Sequence, residues 1–273
     1  MLSKGGRKVD FDWLLDIAAG VSWRKLQNII LNPEQSFSLE IPIEEIEVIW
    51  ESHLRDNTPL QYLISKCHWR DFELEVSANA LIPRQETEFL IDFALKKVNN
   101  FNSGRWADLG TGSGPIAISL AKSLPNWKGY AVDISKDALQ LAKRNLETLA
   151  PKSNVKFFLG DWWEPLQRWC GSFDLVLSNP PYIPSNLIED LEPVVKNHEP
   201  RIALDGGEDG MLASKQIIFG ALNGLANGGW LILEHHYYQS EKIIKFMKEI
   251  GMGEVSFEKD LNGIKRYAIC CKQ

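Results

Sequence analysis

Asp108-Leu109-Gly110-Thr111-Gly112-Ser113-Gly114-Pro115 lies between two apolar runs, and its order of residue types settles what kind of sheet the chain builds. Trp106 to Leu109 before it reads as a strand, and Ile116 to Leu124 after it has helical spacing. Glycines at 110, 112 and 114 let the backbone take positive φ and approach a ligand with no Cβ in the way. Pro115 suits the first helical turn, where its missing N–H is not needed. Strand, glycine loop and helix in that order open a crossover unit.

Further strand candidates follow at Gly129 to Val132, Val155 to Leu159, Leu175 to Leu177 and Trp230 to Leu233. Helical patterns lie between them: Ala138, Leu139, Leu141, Ala142 and Leu146 behind the cap Ser135, then Ile217, Ile218, Ala221, Leu222 and Leu225. This alternation predicts an α/β fold with a mainly parallel sheet. Val255 to Ile269, interrupted by Asp260-Leu261-Asn262-Gly263, reads as a closing hairpin.

The second strand candidate ends at Asp133, about 20 residues beyond Gly114, a spacing at which an acidic side chain accepts hydrogen bonds from a ribose diol. A dinucleotide loop would place glycines at 110, 112 and 115, but position 115 is proline and the third glycine is at 114. The pattern therefore favours a cofactor with a ribose but no pyrophosphate, such as S-adenosylmethionine, on Gly110, Thr111, Gly112, Ser113, Gly114 and Asp133. Asp161 and Trp162 end the third strand candidate at the same sheet edge. Asp161 suits the exocyclic amine of adenine, and Trp162 a wall for its ring. Both Trp162 and Trp163 have packing in the core as the alternative, Trp163 the more so.

Ser178-Asn179-Pro180-Pro181-Tyr182 follows the fourth strand candidate, so Asn179 is expected to project into that same crevice. A turn is the bland reading. The prolines also remove backbone donors at 180 and 181 and restrict Asn179 and Pro180 to extended conformations. What remains are acceptors, the Asn179 side-chain oxygen and the Pro180 carbonyl, with the Tyr182 face beside them. Such a set suits a flat NH₂ group. An amide or aryl amine is a poor nucleophile because its lone pair is delocalised, and methylation makes the nitrogen transiently cationic. Acceptors aimed at its N–H bonds orient the lone pair and stabilise the growing charge. Acyl transfer would need an activated nucleophile, and there is no G-x-S-x-G.

The remaining chain sets bounds. Its 273 residues allow two domains, and 44% hydrophobic with 24% charged residues is ordinary for a globular protein. A net charge of −6 offers no general attraction to nucleic acid. Cys67, Cys170, Cys270 and Cys271 have no C-x-x-C spacing, which fits reduced thiols in a cytosol rather than zinc or disulfides. No apolar run of membrane-spanning length occurs, so a cytoplasmic protein is expected. From Phe11 to Ile64, Trp13, Leu14 and Ile17, then Trp23, Leu26 and Ile30, then Ile46, Ile49, Trp50 and Leu54 recur at helical spacing, with loop signals at Asn32-Pro33 and Pro42. Phe72, Leu74 and Val76 then alternate with Asp71, Glu73 and Glu75, and Ser77-Ala78-Asn79 is read as turning that strand back into Ala80-Leu81-Ile82.

These residues resemble the class I S-adenosylmethionine-dependent methyltransferases, and within them the HemK/PrmC family of release-factor glutamine methyltransferases. Thr58-Pro59-Leu60-Gln61-Tyr62-Leu63, Leu81-Ile82-Pro83-Arg84-Gln85-Glu86-Thr87-Glu88, Glu199-Pro200 with Ala203-Leu204 and Gly207, Gly228-Gly229 with Leu233-Glu234, and Asp260-Leu261 with Gly263 and Arg266 run in family order. The resemblance implies a Rossmann-like methyltransferase domain with a mostly parallel seven-stranded sheet over residues 84–273. It also implies a helical substrate-recognition domain over 1–66, joined through a β-hairpin at 67–83. It further implies methyl transfer to the glutamine of the Gly-Gly-Gln loop of peptide-chain release factors, a step bearing on translation termination. Asn179, Pro180 and Tyr182 are then catalytic, and Asn179, Pro180, Pro181 and Tyr182 hold the glutamine amide. Asn179 also borders the cofactor, and Trp162 lies against adenine. Gln85, Pro115 and His236 depart from the proline, alanine and glycine usual in the family. A monomer without metal, membrane or direct nucleic-acid contacts is expected.

One alternative is an adenine or cytosine methyltransferase acting on nucleic acid, which would extrude its base and carry a basic face. The helical segment instead holds Glu40, Glu44, Glu45, Glu47 and Glu51. A non-catalytic scaffold is the other, and loss of Asn179, Asp133 or the glycines would have favoured it. His235 and His236 are adjacent on a strand, so they point to opposite faces and do not chelate one metal. Cys270-Cys271 reads as a strand end. An ion pair between Glu199 and Arg201 stays open.

Overall fold

The computed structural model describes residues 1–32, 34 and 36–273 and divides into two units. One comprises Met1–Lys66 with Glu192–His198, the other Cys67–Leu191 with Glu199–Gln273. In the first, helices α1 (Lys8–Ala19), α2 (Trp23–Leu31), α3 (Ile43–Asp56) and α4 (Leu60–Ile64) surround Leu14, Ile46, Trp50 and Leu60. The helical spacing is realised, but Trp23 and Ile30 of α2 are exposed rather than core. The loop signal at Pro33 lies outside the described residues.

The hairpin differs from the expected one. Strand β1 (Lys66–Trp69) pairs with β2 (Phe72–Glu75), and residues 80–82 are loop. The turn falls at Arg70-Asp71, with Arg70 at φ 54, a two-residue connection that lacks the Asn-Gly or Asp-Gly signature of such turns. Cys67 and Trp69 on one strand and Phe72 and Leu74 on the other are buried, which fixes the pairing. The Trp69 indole donates to the Arg84 carbonyl at 3.3 Å, and Arg144 pairs with Glu75 at 2.7 Å. The hairpin is thus held firmly within the second unit.

Beyond it, α5 (Glu88–Lys97), β3 (Arg105–Leu109), α6 (Pro115–Ser123), β4 (Lys128–Asp133), α7 (Lys136–Leu149), β5 (Val155–Leu159) and β6 (Phe173–Ser178) alternate. After the short α8 (Pro193–Lys196) come α9 (Leu212–Gly224), β7 (Leu225–Glu234), α10 (Ser240–Glu249), β8 (Gly253–Lys259) and β9 (Lys265–Cys271). The seven-stranded sheet has the order β5-β4-β3-β6-β7-β9-β8. Strands β3 to β7 are parallel, and only β9, the return arm of the closing hairpin, runs against them. The fold is therefore α/β, as the alternation predicts.

Continuous apolar runs such as Leu175-Val176-Leu177 and Leu231-Ile232-Leu233 are wholly buried, as strands covered on both faces must be. Gly129 sits opposite Trp106, whose ring would lie 2.2 Å from a Cβ there, so a glycine in mid-strand makes room for an indole. The chain moves from β3 out to β5 and then returns to the other side of β3 as β6. Strand order thus reverses between β3 and β6, and the crevice at their carboxyl ends is the ligand position of such sheets.

Candidate active site

Both sequence motifs end at that crevice. Leu109 closes β3 and Ser178 closes β6, and the buried Ser178 hydroxyl donates to the Leu109 carbonyl at 2.6 Å. Asp108 pairs in register with Leu177, so the glycine loop and Asn179 leave the sheet side by side. A cavity of about 260 Å³ opens there, lined by Gly110 to Ser113, Asp133, Asp161, Trp162, Asn179 and Pro181 among others.

The loop is shaped by its glycines and two carboxylates. Gly110, Gly112 and Gly114 have φ of 79°, 56° and 92°, the left-handed region that glycine enters without a Cβ penalty. Gly114 caps α6 and Pro115 takes its first turn. The Asp108 carboxylate accepts from the Thr111 hydroxyl at 2.6 Å and the Ala117 N–H at 3.1 Å. Its complete burial pushes the carboxyl up to about 7. Asp133 accepts from the Gly112 N–H at 2.8 Å and the Ser135 N–H at 2.9 Å. Burial raises its pKa above the usual aspartate range, against the pull of those backbone donors. Each Asp133 oxygen keeps a lone pair, the complement of a ribose diol.

Trp162 takes φ 39, uncommon for a residue with a side chain, and its ring lies where a Cβ on Gly110 would come within 3.2 Å of it. Its indole N–H donates to Gln216 at 3.0 Å, a residue on α9 that no sequence motif marks. Trp163 is core: its indole N–H donates to the Ile217 carbonyl at 2.9 Å, and its ring fills grooves left by Gly220 and Gly224. Asp161 is exposed on the rim, its pKa raised chiefly by desolvation. The Ser113 hydroxyl and Asp108 Oδ1 are buried with no partner among the described residues. A glycine cradle, a free pair of ribose acceptors and an indole wall fit S-adenosylmethionine.

Not every expected residue reaches the cavity wall. Gly114 turns the loop from behind, Pro180 is buried, and Tyr182 lies beneath the surface with its hydroxyl on Glu234 Oε1 at 3.3 Å. Burial and the Glu234 carboxylate raise the Tyr182 phenol above its usual value. Asn179 donates through Nδ2 to the Thr87 hydroxyl at 2.9 Å. Thr87, Glu234 and Gln216 went unassigned in the sequence. So did Asn145, which joins the Ser113 carbonyl to the Glu75 backbone with bonds of 2.9 Å. Glu199 pairs not with Arg201 but with Arg84, at 2.6 Å, while Arg201 pairs with Asp205 at 3.3 Å. Of the three family departures, Gln85 opens a short 3₁₀ turn, Pro115 lines the cavity, and His236 forms a capping box with Gln239.

Fold and crevice define the class: a class I methyltransferase, whose cofactor is S-adenosylmethionine. The methyltransferase small domain family matches residues 85–192. A release factor glutamine methyltransferase of Prochlorococcus marinus is 53% identical over 273 residues, 99% of this chain and 93% of that protein. Its counterpart in Gloeobacter violaceus is 38% identical, covering 95% of this chain and 89% of its own. Among solved structures, the hMettl16 catalytic domain in complex with a MAT2A 3′UTR hairpin superposes with a TM-score of 0.60 at 13% identity, over 96% of this chain and 91% of that one, a likeness of fold. The chain belongs to the release factor glutamine methyltransferase family.

Proposed function

We propose that this protein transfers the methyl group of S-adenosylmethionine to the side-chain amide of the glutamine in the Gly-Gly-Gln loop of peptide-chain release factors. The observation that carries the reading is the position of Asn179, whose amide lines the same cavity as the glycine loop at the sheet's switch point. Family membership supports glutamine as the acceptor. Bound in the crevice, the cofactor would supply a methyl group on a sulfonium: the S–CH₃ bond breaks as the N–CH₃ bond forms, sulfur leaves as a neutral thioether, and the nitrogen then gives up one proton to water. Gly110 to Ser113, Asp133, Asp161 and Trp162 hold it, with Gly114 keeping the loop in shape. Asn179 Oδ1 accepts an N–H bond of the glutamine amide, turning its lone pair toward the methyl group and stabilising the charge that develops on nitrogen, while the buried Pro180 holds the segment extended behind it. Pro181 walls the slot, and Tyr182 braces it from below.

The first unit serves as the substrate-recognition domain in this proposal, with the hairpin joining it to the catalytic unit. One chain carries both cofactor loop and acceptor slot, so a monomer suffices, acting in the cytoplasm. No helix among the described residues is long and apolar enough to cross a membrane. The test is incubation with methyl-labelled S-adenosylmethionine and, in separate arms, a release factor, DNA and RNA. Label on the Gly-Gly-Gln glutamine, located by mass spectrometry, is expected. Label on a base amine, or in no arm, refutes the assignment.

A further inference from the structure

Two hydroxyls meet on one buried carboxylate behind the acceptor slot. Glu234 ends β7 and is 1% exposed. Its Oε2 accepts from the Thr87 hydroxyl at 2.8 Å and its Oε1 from the Tyr182 hydroxyl at 3.3 Å. Glu86, Arg266 and Tyr267 also face this carboxylate.

Counting hydrogens gives this cluster a direction. Thr87 has a single hydroxyl hydrogen, and an ionised Glu234 can only accept. With that hydrogen committed to Glu234, the Thr87 oxygen can offer only lone pairs to its other neighbour. The Asn179 group 2.9 Å away must therefore be the NH₂, which leaves Oδ1 for the cavity. Nothing local imposes this, since the terminal torsion of asparagine is broad and nearly two-fold. Turned over, Asn179 would present its own NH₂ to a substrate NH₂, donor against donor.

We infer that Thr87 and Glu234 are positioning residues that set the polarity of the Asn179 amide and so make it an acceptor for the methylated nitrogen. This rests on the proposed amide substrate and adds to it the groups that orient its acceptor. Burial holds the Glu234 carboxyl up near 7, with the Thr87 and Tyr182 hydroxyls and Arg266 pulling it down and Glu86 pushing it up. Once protonated, Glu234 no longer requires the Thr87 hydrogen, which is then free to point at Asn179 and reverse the relay. Turnover should therefore fall as pH drops through about 7.

The test is steady-state methylation of an intact release factor by the full chain, with S-adenosylmethionine affinity measured by calorimetry and folding by thermal melts. Thr87→Val should lower kcat about 10²-fold, as loss of a preorganised polar group does, with cofactor affinity within about two-fold. Thr87→Ser, which keeps the hydroxyl, should recover most of that loss. Glu234→Gln should remove the acid limb of the pH profile. A folded Thr87→Val with near wild-type kcat overturns the inference. If Thr87→Val unfolds, Thr87→Ser no better than it, or an acid limb that survives Glu234→Gln, overturns it equally. Failure of the substrate assignment shows separately, as a wild-type protein that leaves the release factor unlabelled.

Discussion

Removing the Asp133 carboxylate separates a cofactor site from a merely structural loop. In the protein alone it accepts two backbone N–H bonds, from Gly112 and Ser135, and has one further lone pair per oxygen for the ribose hydroxyls. Hydrogen bonds to a charged group contribute about 1.5–3 kcal/mol. The burial that raises the Asp133 pKa offsets part of that gain. A net loss of roughly 1.5–3 kcal/mol is therefore expected for Asp133→Ala, a 10- to 150-fold weaker Kd for S-adenosylmethionine. The residue is only half-buried, so water can reach the two released N–H groups and the melting temperature should change little. Asp133→Asn keeps one acceptor oxygen and should fall between. Titration calorimetry on all three proteins reads this directly. An Asp133→Ala protein that binds the cofactor as tightly as wild type would falsify the assignment of this side chain to the ribose.

Three further perturbations probe different links. Asn179→Ala should lower kcat about 10²–10³-fold while leaving cofactor affinity nearly unchanged; turnover close to wild type would remove Asn179 from the mechanism. Gly220→Ala places a Cβ 2.1 Å from the buried Trp163 ring, an overpacking expected to cost about 1–3 kcal/mol, seen as a lower denaturation midpoint; an unshifted midpoint would show that the indole is not pinned. Asp108 has a folded pKa raised to about 7 from 3.8, so the folded state binds its proton more tightly. Its contribution to stability is full below about 4 and is lost as pH rises to about 7. Asp108→Asn should therefore gain on wild type across that window in denaturant titrations, and parallel pH profiles for the two proteins would contradict the buried charge.

How much of this was legible in the sequence depends on how local each cause is. The glycine loop, Pro115 at the helix start and the Ser135 cap declare themselves because backbone conformation and first-turn donors are satisfied within a few residues. Strand β5 was expected at the bounds it has, whereas β7 came out longer than the expected Trp230 to Leu233 and begins at Leu225, a residue whose spacing places it in the preceding helical pattern. The hairpin was misplaced because an Arg-Asp turn with a positive φ at Arg70 carries no compositional mark, whereas Ser77-Ala78-Asn79 does. Exposure of Trp23 is equally invisible, since a helical period says which residues share a face but not whether anything covers it. Gln216, Thr87 and Asn145 act on residues 54, 92 and 32 positions away, through contacts that exist only once the sheet is assembled.

Asn-Pro-Pro-Tyr shows where that boundary falls. Its prolines act locally: they strip donors from the backbone and hold it extended, whatever surrounds them. The polarity of its asparagine does not come from the tetrapeptide, because the two ends of an amide have nearly the same shape and differ only in hydrogens. Polarity is set by Thr87, which sits ahead of α5, and by Glu234, which ends β7. Strands β6 and β7 are neighbours in the sheet, with Ser178 opposite Leu233, so Asn179 and Glu234 leave it side by side and Thr87 bonds to both. The same tetrapeptide without a hydroxyl committed elsewhere behind it would be a turn with an indifferent amide. What makes it an acceptor for an NH₂ group is a buried carboxylate that takes the one hydroxyl hydrogen of the threonine behind it.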